Sequence, residues 1–325
     1  MDTLAFKNYE NFIYGNKNFL TYEEFAKAMT VITPEDCIDT PANEVINQAI
    51  DSLPKNPGGL VYIKEGTYVL SEPIIINRSN VTLMGSGAGT KLFLADGANN
   101  DMIKIGNGST TLNLITVRDL FLDGNKANNP YGLYGIYLFG SATNKISYTC
   151  IHNVLLYRMK QKGIVAEYME KSTISLCKSI SHDSDNIVLS YSIENIIDRN
   201  HLYSSGAQGI DFYFNCNNNI ISKNIIKSHG YNGILLYSNS NNNIISNNQI
   251  LNNGNDGIRL NEVDNNIIHS NKCFGNSGYG INVSNETSNN NYIFKNFLAE
   301  NTTGSFYDAG TGTIVAASTT NDNVL

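Results

Sequence analysis

Gly209-Ile210-Asp211-Phe212, Gly233-Ile234-Leu235-Leu236, Gly257-Ile258-Arg259-Leu260 and Gly280-Ile281-Asn282-Val283 are one phrase written four times: small, apolar, variable, apolar. The same phrase stands upstream at Gly135-Ile136-Tyr137-Leu138, Gly163-Ile164-Val165-Ala166 and Asn186-Ile187-Val188-Leu189, and from 163 onward it recurs every 23 or 24 residues. A second phrase keeps step with it: Asn195-Ile196-Ile197, Asn219-Ile220-Ile221, Asn243-Ile244-Ile245 and Asn266-Ile267-Ile268, closing on Asn200, Asn224, Asn248 and Asn271. Two short β-branched segments per period leave too little chain for helices and repeat too regularly for a sandwich. The period therefore predicts an all-β parallel solenoid of about 23–24 residues per coil, its coils ~4.8 Å apart and its like side chains stacked in ladders. The closing asparagines read as one such ladder, passing amide hydrogen bonds from coil to coil inside a turn.

Counting back on this phase places Cys177 in the asparagine column, and allowing an insertion after Cys150 puts that residue one coil earlier, close enough for a disulfide but more commonly a pair of stacked inward thiols. The five cysteines, Cys37, Cys150, Cys177, Cys216 and Cys273, include no C-x-x-C pair, which argues for free buried thiols and against a disulfide framework or a zinc site.

A solenoid exposes core and strand edges at its ends, so a cap is required. Thr40-Pro41, followed by apolar Val45, Ile46, Ala49, Ile50 and Leu53, predicts a cap helix at about 41–53 with Thr40 as the capping hydroxyl. Pro57-Gly58-Gly59 ends it, and Leu60–Ile63, Thr67–Leu70, Ile74–Ile76 and Val81–Leu83 read as the first strands. The expected organisation is an N-terminal extension, 1–36, serving as a separate contact segment with a short amphipathic helix at Tyr22–Met29, and a β-helix domain over 37–325.

Among 325 residues, 41% are hydrophobic and 16% charged, the formal charge is −7, and no Lys/Arg block is present. Counterion release has no source in such a chain, so nucleic acid is not an expected partner. No run approaches the ~18 apolar residues of a membrane span, and Met1-Asp2-Thr3-Leu4 does not begin a signal peptide.

The run Thr40 to Leu94, with Val45-Ile46-Asn47-Gln48-Ala49-Ile50, Gly59-Leu60-Val61-Tyr62-Ile63, Glu65-Gly66-Thr67-Tyr68 and Val81-Thr82-Leu83-Met84-Gly85-Ser86-Gly87, resembles the N-terminal part of the pectin-lyase-like right-handed parallel β-helices. Residues from about 135 to 300 resemble the parallel β-helix repeats of mannuronan C5-epimerases and NosD-type proteins. The resemblance implies a right-handed parallel β-helix that acts on an extended, uronate-containing polysaccharide as a lyase, epimerase or hydrolase. The alternative is a non-catalytic carbohydrate-binding or structural spike. It also implies an extracellular, cell-surface or virion location, and a trimer if the chain is a viral spike. The epimerase signature Tyr-Gly-Phe-Asp-Pro-His-Glu falls on Gln208-Gly209-Ile210-Asp211-Phe212-Tyr213-Phe214, which keeps the aspartate.

By strand alternation the variable position points outward, giving a column Tyr137, Val165, Val188, Asp211, Leu235, Arg259 and Asn282. Glu167, Tyr213 and Tyr237 flank it on one side, and Lys162, Asp185, Gln208 and Asp256 on the other, with His182 and His229 four residues ahead of their strands. Opening or epimerising a uronic acid needs a base at the C5 proton, an acid opposite and a cation on the carboxylate, whereas hydrolysis needs two carboxylates. The face supplies Asp211 as base or nucleophile, Tyr213 or Tyr237 as acid, and Arg259 as anchor, or else Asp211 paired with Asp185 or Glu167. Asp185, Gln208, His229 and Asp256 are the expected substrate-binding residues. His182-Asp183-Ser184-Asp185 is a candidate Ca²⁺ ligand set, and no other cofactor is expected.

Overall fold

A computed structural model of the chain describes residues 28–316 and 320–321. Nearly all strands are two to six residues long, and they stack in parallel into sheets of twelve, eleven and ten strands that form the solenoid walls, with a short three-stranded sheet beside them. The predicted first strands appear as Gly59–Ile63, Gly66–Leu70, Ile74–Ile76 and Val81–Met84.

The repeated phrase lies in the ten-stranded sheet. Ile164, Ile187, Ile210, Ile234, Ile258 and Ile281 follow one another in register and are fully buried. Burying each is worth roughly 1.5–3 kcal/mol. Ile174, Ile197, Ile221, Ile245, Ile268 and Ile293 form the matching inward column of the twelve-stranded sheet. The small residue opening each phrase answers to close approach between coils: a Cβ on Gly233 would strike Ile250 and the Gly257 carbonyl oxygen.

Each corner joins a left-handed residue to an inward asparagine. Arg199, Lys223, Asn247, Ser270 and Lys295 have φ between 53° and 58°, and each precedes an asparagine of the column Asn200, Asn224, Asn248, Asn271 and Asn296. That backbone conformation costs ~1–2 kcal/mol outside glycine. The ladder offsets the cost: Asn200 donates its backbone N–H and its Nδ2 to Asn224 Oδ1 at 2.9 and 3.0 Å, and Nδ2 also reaches the Ile174 carbonyl at 2.9 Å. Cys177 heads this column, its N–H donating to Asn200 Oδ1, as its spacing requires. The Asn195 phrase forms a second ladder through Asn219, Asn243, Asn266 and Asn291. The sequence reading missed a third, Asn253, Asn276 and Asn301, because serine and histidine occupy its earlier rungs.

Cys150 does not stand over Cys177. It faces outward in the strand Cys150–His152, in register with Thr116 and Thr173, and Val154 fills the place one coil before Cys177. The 23-residue period holds there without an insertion, which moves the column by four residues. All five cysteines are free, three of them buried.

The cap helix, α1, spans Ala42–Ser52. Its N-cap is Pro41, with no side-chain cap, so the Thr40 hydroxyl does not serve. Ile46 and Ile50 close the core, while Asn43 Oδ1 accepts from Ser71 N–H and Asn47 Oδ1 from Ile75 N–H, satisfying the end of the first coil. The strand Met29–Ile32 pairs with Leu60–Ile63, so the described part of the N-terminal extension joins the wall. Residues 22–27 of the predicted short helix lie outside the described residues.

Candidate functional site: a trough on the ten-stranded sheet

Outward residues on a sheet are ordinarily exposed, yet Val165, Val188 and Asp211 are only 6%, 3% and 6% exposed. Neighbouring side chains therefore cover them, and this covered stretch of the variable column with its two flanks is called the trough. Asp185 stands on one flank: its Oδ1 accepts from Gln208 N–H at 2.8 Å, its Oδ2 from Ser184 Oγ at 2.9 Å, and Lys162 Nζ lies 3.6 Å away. Glu167 stands on the other, beside Tyr137, whose phenol is raised by burial and by donating to the Glu167 carboxylate.

Asp211 has no comparable support. Its Oδ1 is buried without a partner, as is Oε1 of Gln208, two residues before the strand Ile210–Phe214. Burial pushes the Asp211 carboxyl up to about 7, and the Asp185 charge adds to the rise while Lys162 opposes it. A carboxyl that exchanges its proton near neutrality can serve as general acid or base.

Beside Asp211 the register slips. Leu189 pairs with Phe212 but Ser190 with Phe214, so Tyr213 is the extra residue of a β-bulge and stands out, 47% exposed. Its ring lies 6.1 Å from that of Tyr237. Phe214 takes the place expected of Tyr213 and continues a row from Tyr168 and Tyr191, which stack at 4.9 Å and 8°. The bulge has no counterpart in spacing, because 23 and 24 residues both fit a coil.

Asp256, Arg259 and Asn282 form a separate cluster farther along. Asp256 accepts from Tyr279 N–H at 2.8 Å and Asn282 Nδ2 at 2.9 Å, and Arg259 lies 3.7 Å from it. Arg259 is two coils from Asp211 in its column, about 10 Å along the axis.

His229 is not on this face. It points inward above Asn253 in the third ladder, accepting at Nδ1 from Ser205 N–H and contacting the Leu202 carbonyl through Nε2. His182, two rungs earlier, is likewise interior, and burial lowers these histidines to about 4 and about 3. The candidate Ca²⁺ residues point three ways: His182 inward, Asp183 to Lys126 and Lys160 on the outside, and Asp185 into the trough. No described helix is long and apolar enough to cross a membrane.

The fold is that of several solved structures. The A-module of Azotobacter vinelandii mannuronan C-5 epimerase AlgE4 matches with a TM-score of 0.75 at 18% identity, covering 85% of this chain and 79% of that one. Tailspike protein 2 of Escherichia coli O157:H7 bacteriophage CAB120 matches with a TM-score of 0.64 at 15% identity, over 83% of this chain and 40% of that one. Over 185 residues the chain is 26% identical to Azotobacter vinelandii "Alginate lyase 7", which is 53% of this chain and 22% of that protein. The chain thus spans about a fifth of the length of this curated relative.

A family model described as "Periplasmic copper-binding protein (NosD)" matches residues 152–323. The side chains do not fit a copper centre. All five histidines and five cysteines lie within the described residues, and no three His, Cys, Asp or Glu groups there are placed to hold an ion. His182 and His229 are interior, and His152 and His269 share one outward column but stand five coils apart, about 24 Å. Cys150 and His152 share a face, with Arg118 in register beside His152 and no third ligand. Copper needs several converging soft or imidazole donors, so no chemistry is routed through it. What the match rests on is the coil itself, and since it spans more than half of the residues, this chain belongs to the NosD family.

Proposed function

We propose that the trough binds an extended, uronate-containing polysaccharide and that Asp211 moves the proton in its lysis, epimerisation or hydrolysis. One observation carries this reading: Asp211 is a buried carboxyl with an unpartnered oxygen, aligned with an exposed bulge tyrosine and set near a second carboxyl. A structural aspartate would have its hydrogen bonds made, as Asp123 does with Arg158 and Lys91. Asp185, which accepts from Gln208 N–H and Ser184 Oγ, is the second carboxyl. The names of the similar proteins, an alginate lyase, mannuronan epimerases and phage tailspikes, support a polysaccharide as the ligand. An extracytoplasmic or virion setting belongs to the same proposal.

The test is incubation of the purified protein with polymannuronate, polygalacturonate and neutral polysaccharides. Lysis is read by the ultraviolet absorbance of new double bonds, hydrolysis by reducing ends, and epimerisation by proton NMR of the anomeric region. Activity in any channel that Asp211→Asn abolishes supports the reading. Turnover that survives Asp211→Asn overturns it.

The second reading is binding without turnover, which the Tyr213 and Tyr237 rings favour, since they present surface to a sugar independently of Asp211. Saturable binding with no product in any channel would select it.

A further inference from the structure

The Asp256, Arg259 and Asn282 cluster has the marks of a site rather than of a finished salt bridge. Asn282 is 8% exposed and its Nδ2 is committed to Asp256, which fixes the orientation of the amide and leaves Oδ1 buried without a donor. A buried acceptor left bare costs on the order of 1–3 kcal/mol, a penalty that a ligand's O–H removes. Arg259, in register with Asn282 one coil earlier, keeps about a third of its side chain exposed, and its contact to Asp256 at 3.7 Å is too long for a hydrogen bond. Its guanidinium therefore retains donors for an anion. Tyr307 follows Asn282 in register, and its ring stacks on Tyr279 at 5.3 Å to wall the far side.

An acceptor and a free guanidinium one coil apart suit a group that offers a hydroxyl and a carboxylate together. We propose that Arg259 and Asn282 form a distal subsite for an acidic sugar unit, gripping the polysaccharide two to three coils from Asp211. This rests on the reading of the trough as a polyuronate site and adds where a second unit is held and why chain length matters. Asn282 lies three coils from Asp211 in the same column, about 14 Å along the axis. A pyranose unit in an extended chain is about as long as one coil is high, so a tetramer is the shortest oligomer that reaches both positions. Binding energy made at a unit remote from the reaction goes into affinity or into orienting the reacting unit, and a titration reads the part kept as affinity.

The experiment is calorimetric titration of the full chain with oligomannuronates and oligogalacturonates from dimer to hexamer. Wild type, Asp211→Asn, Arg259→Gln and Asn282→Ala are compared, each checked for a single cooperative melting transition, with that of Asp211→Asn expected above wild type at neutral pH. The expected result is a tenfold or larger gain in affinity from dimer to tetramer in wild type and Asp211→Asn, the trimer reaching Arg259 and the tetramer adding Asn282, and that gain is lost in Arg259→Gln and Asn282→Ala. Because Arg259 is partly exposed, its variant keeps the test available if Asn282→Ala fails to fold. A length-dependent gain that both variants retain overturns the distal subsite and leaves the trough reading standing. Failure of wild type to bind either series at any length overturns both.

Discussion

Asp211 follows Asp185 by the same 26 residues that separate Asn282 from Asp256, and the later pair is closed by an amide-to-carboxylate hydrogen bond of 2.9 Å. The earlier pair has a carboxyl where the later has an amide, which explains why Asp211 keeps an unpartnered oxygen and a raised pKa. In the native chain it holds its proton to about pH 7, whereas the unfolded chain releases it near pH 4. Stability attached to this group is present below the lower value and is lost as pH rises through the upper one. Asp211→Asn supplies the missing amide and removes the loss. Its unfolding free energy should match wild type near pH 4 and exceed it by roughly 2–4 kcal/mol near pH 8, with turnover abolished. Parallel pH–stability curves for the two proteins would contradict the assignment.

The asparagine ladders predict a different cost. Asn248 Oδ1 accepts both the N–H and the Nδ2 of Asn224, and its own N–H and Nδ2 donate to Asn271. Asn248→Leu fills the volume and keeps its own backbone N–H on Asn271, but it takes the acceptor from Asn224 and a donor from the Ile221 carbonyl inside a turn, so it should destabilise the fold by roughly 1–3 kcal/mol in denaturant titration. A neutral result would mean that water replaces the rung.

The solenoid was legible because its period is written twice per coil, in the small-apolar-variable-apolar phrase and in the Asn-Ile-Ile phrase. The trough was legible only as columns. Which residues lie at its floor depends on the height of their neighbours, and the displacement of Tyr213 depends on a one-residue bulge that the spacing absorbs. His229 misled because its column reads Ser205, His229, Asn253, with no shared residue type to mark it as a ladder position. Its signal was present in the period alone: a 24-residue step from His229 reaches Asn253, and 23 more reach Asn276.

That same column carries an acid-stability prediction. His229 and His182 accept backbone N–H groups at Nδ1, so both are interior neutral imidazoles, with values lowered to about 4 and about 3. The unfolded chain takes up protons below about pH 6.5 and the native one does not until far lower, so stability falls as pH drops through this window. His229→Asn, which continues the amide ladder, should be more stable than wild type by roughly 1–2 kcal/mol near pH 5 relative to pH 8. An unchanged acid transition would show that His229 is not held neutral.

Metal content follows from where the histidines and cysteines lie. The purified chain should carry no stoichiometric copper, and titration with Cu(II), or with Cu(I) under reductant, should give no site surviving competition by a weak chelator. Chelation should leave the melting temperature unchanged. A tight one-to-one site lost in His152→Ala or Cys150→Ser would overturn this and place copper beside Arg118.

Tyr213 and Tyr191 are both half-exposed aromatic residues beside the trough, but their ring faces differ. Tyr191 lies flat against Tyr168 at 8° and packs on Phe214 along the other side, so its faces are already covered. Tyr213 meets Phe214 edge-on at 62° and is tilted 36° from Tyr237, so neither of these rings is stacked flat on it. Sugar rings pack on open aromatic faces, so Tyr213→Ala should weaken polysaccharide binding by about 1–2 kcal/mol, roughly 5–30-fold in Kd. Tyr191→Ala should change affinity less than twofold and lower the melting temperature instead, because it removes a rung of the aromatic row. Affinity electrophoresis in polysaccharide-containing gels, run beside thermal melts, separates the two. Equal losses of affinity from both variants would mean that the row, and not the bulge, contacts the ligand.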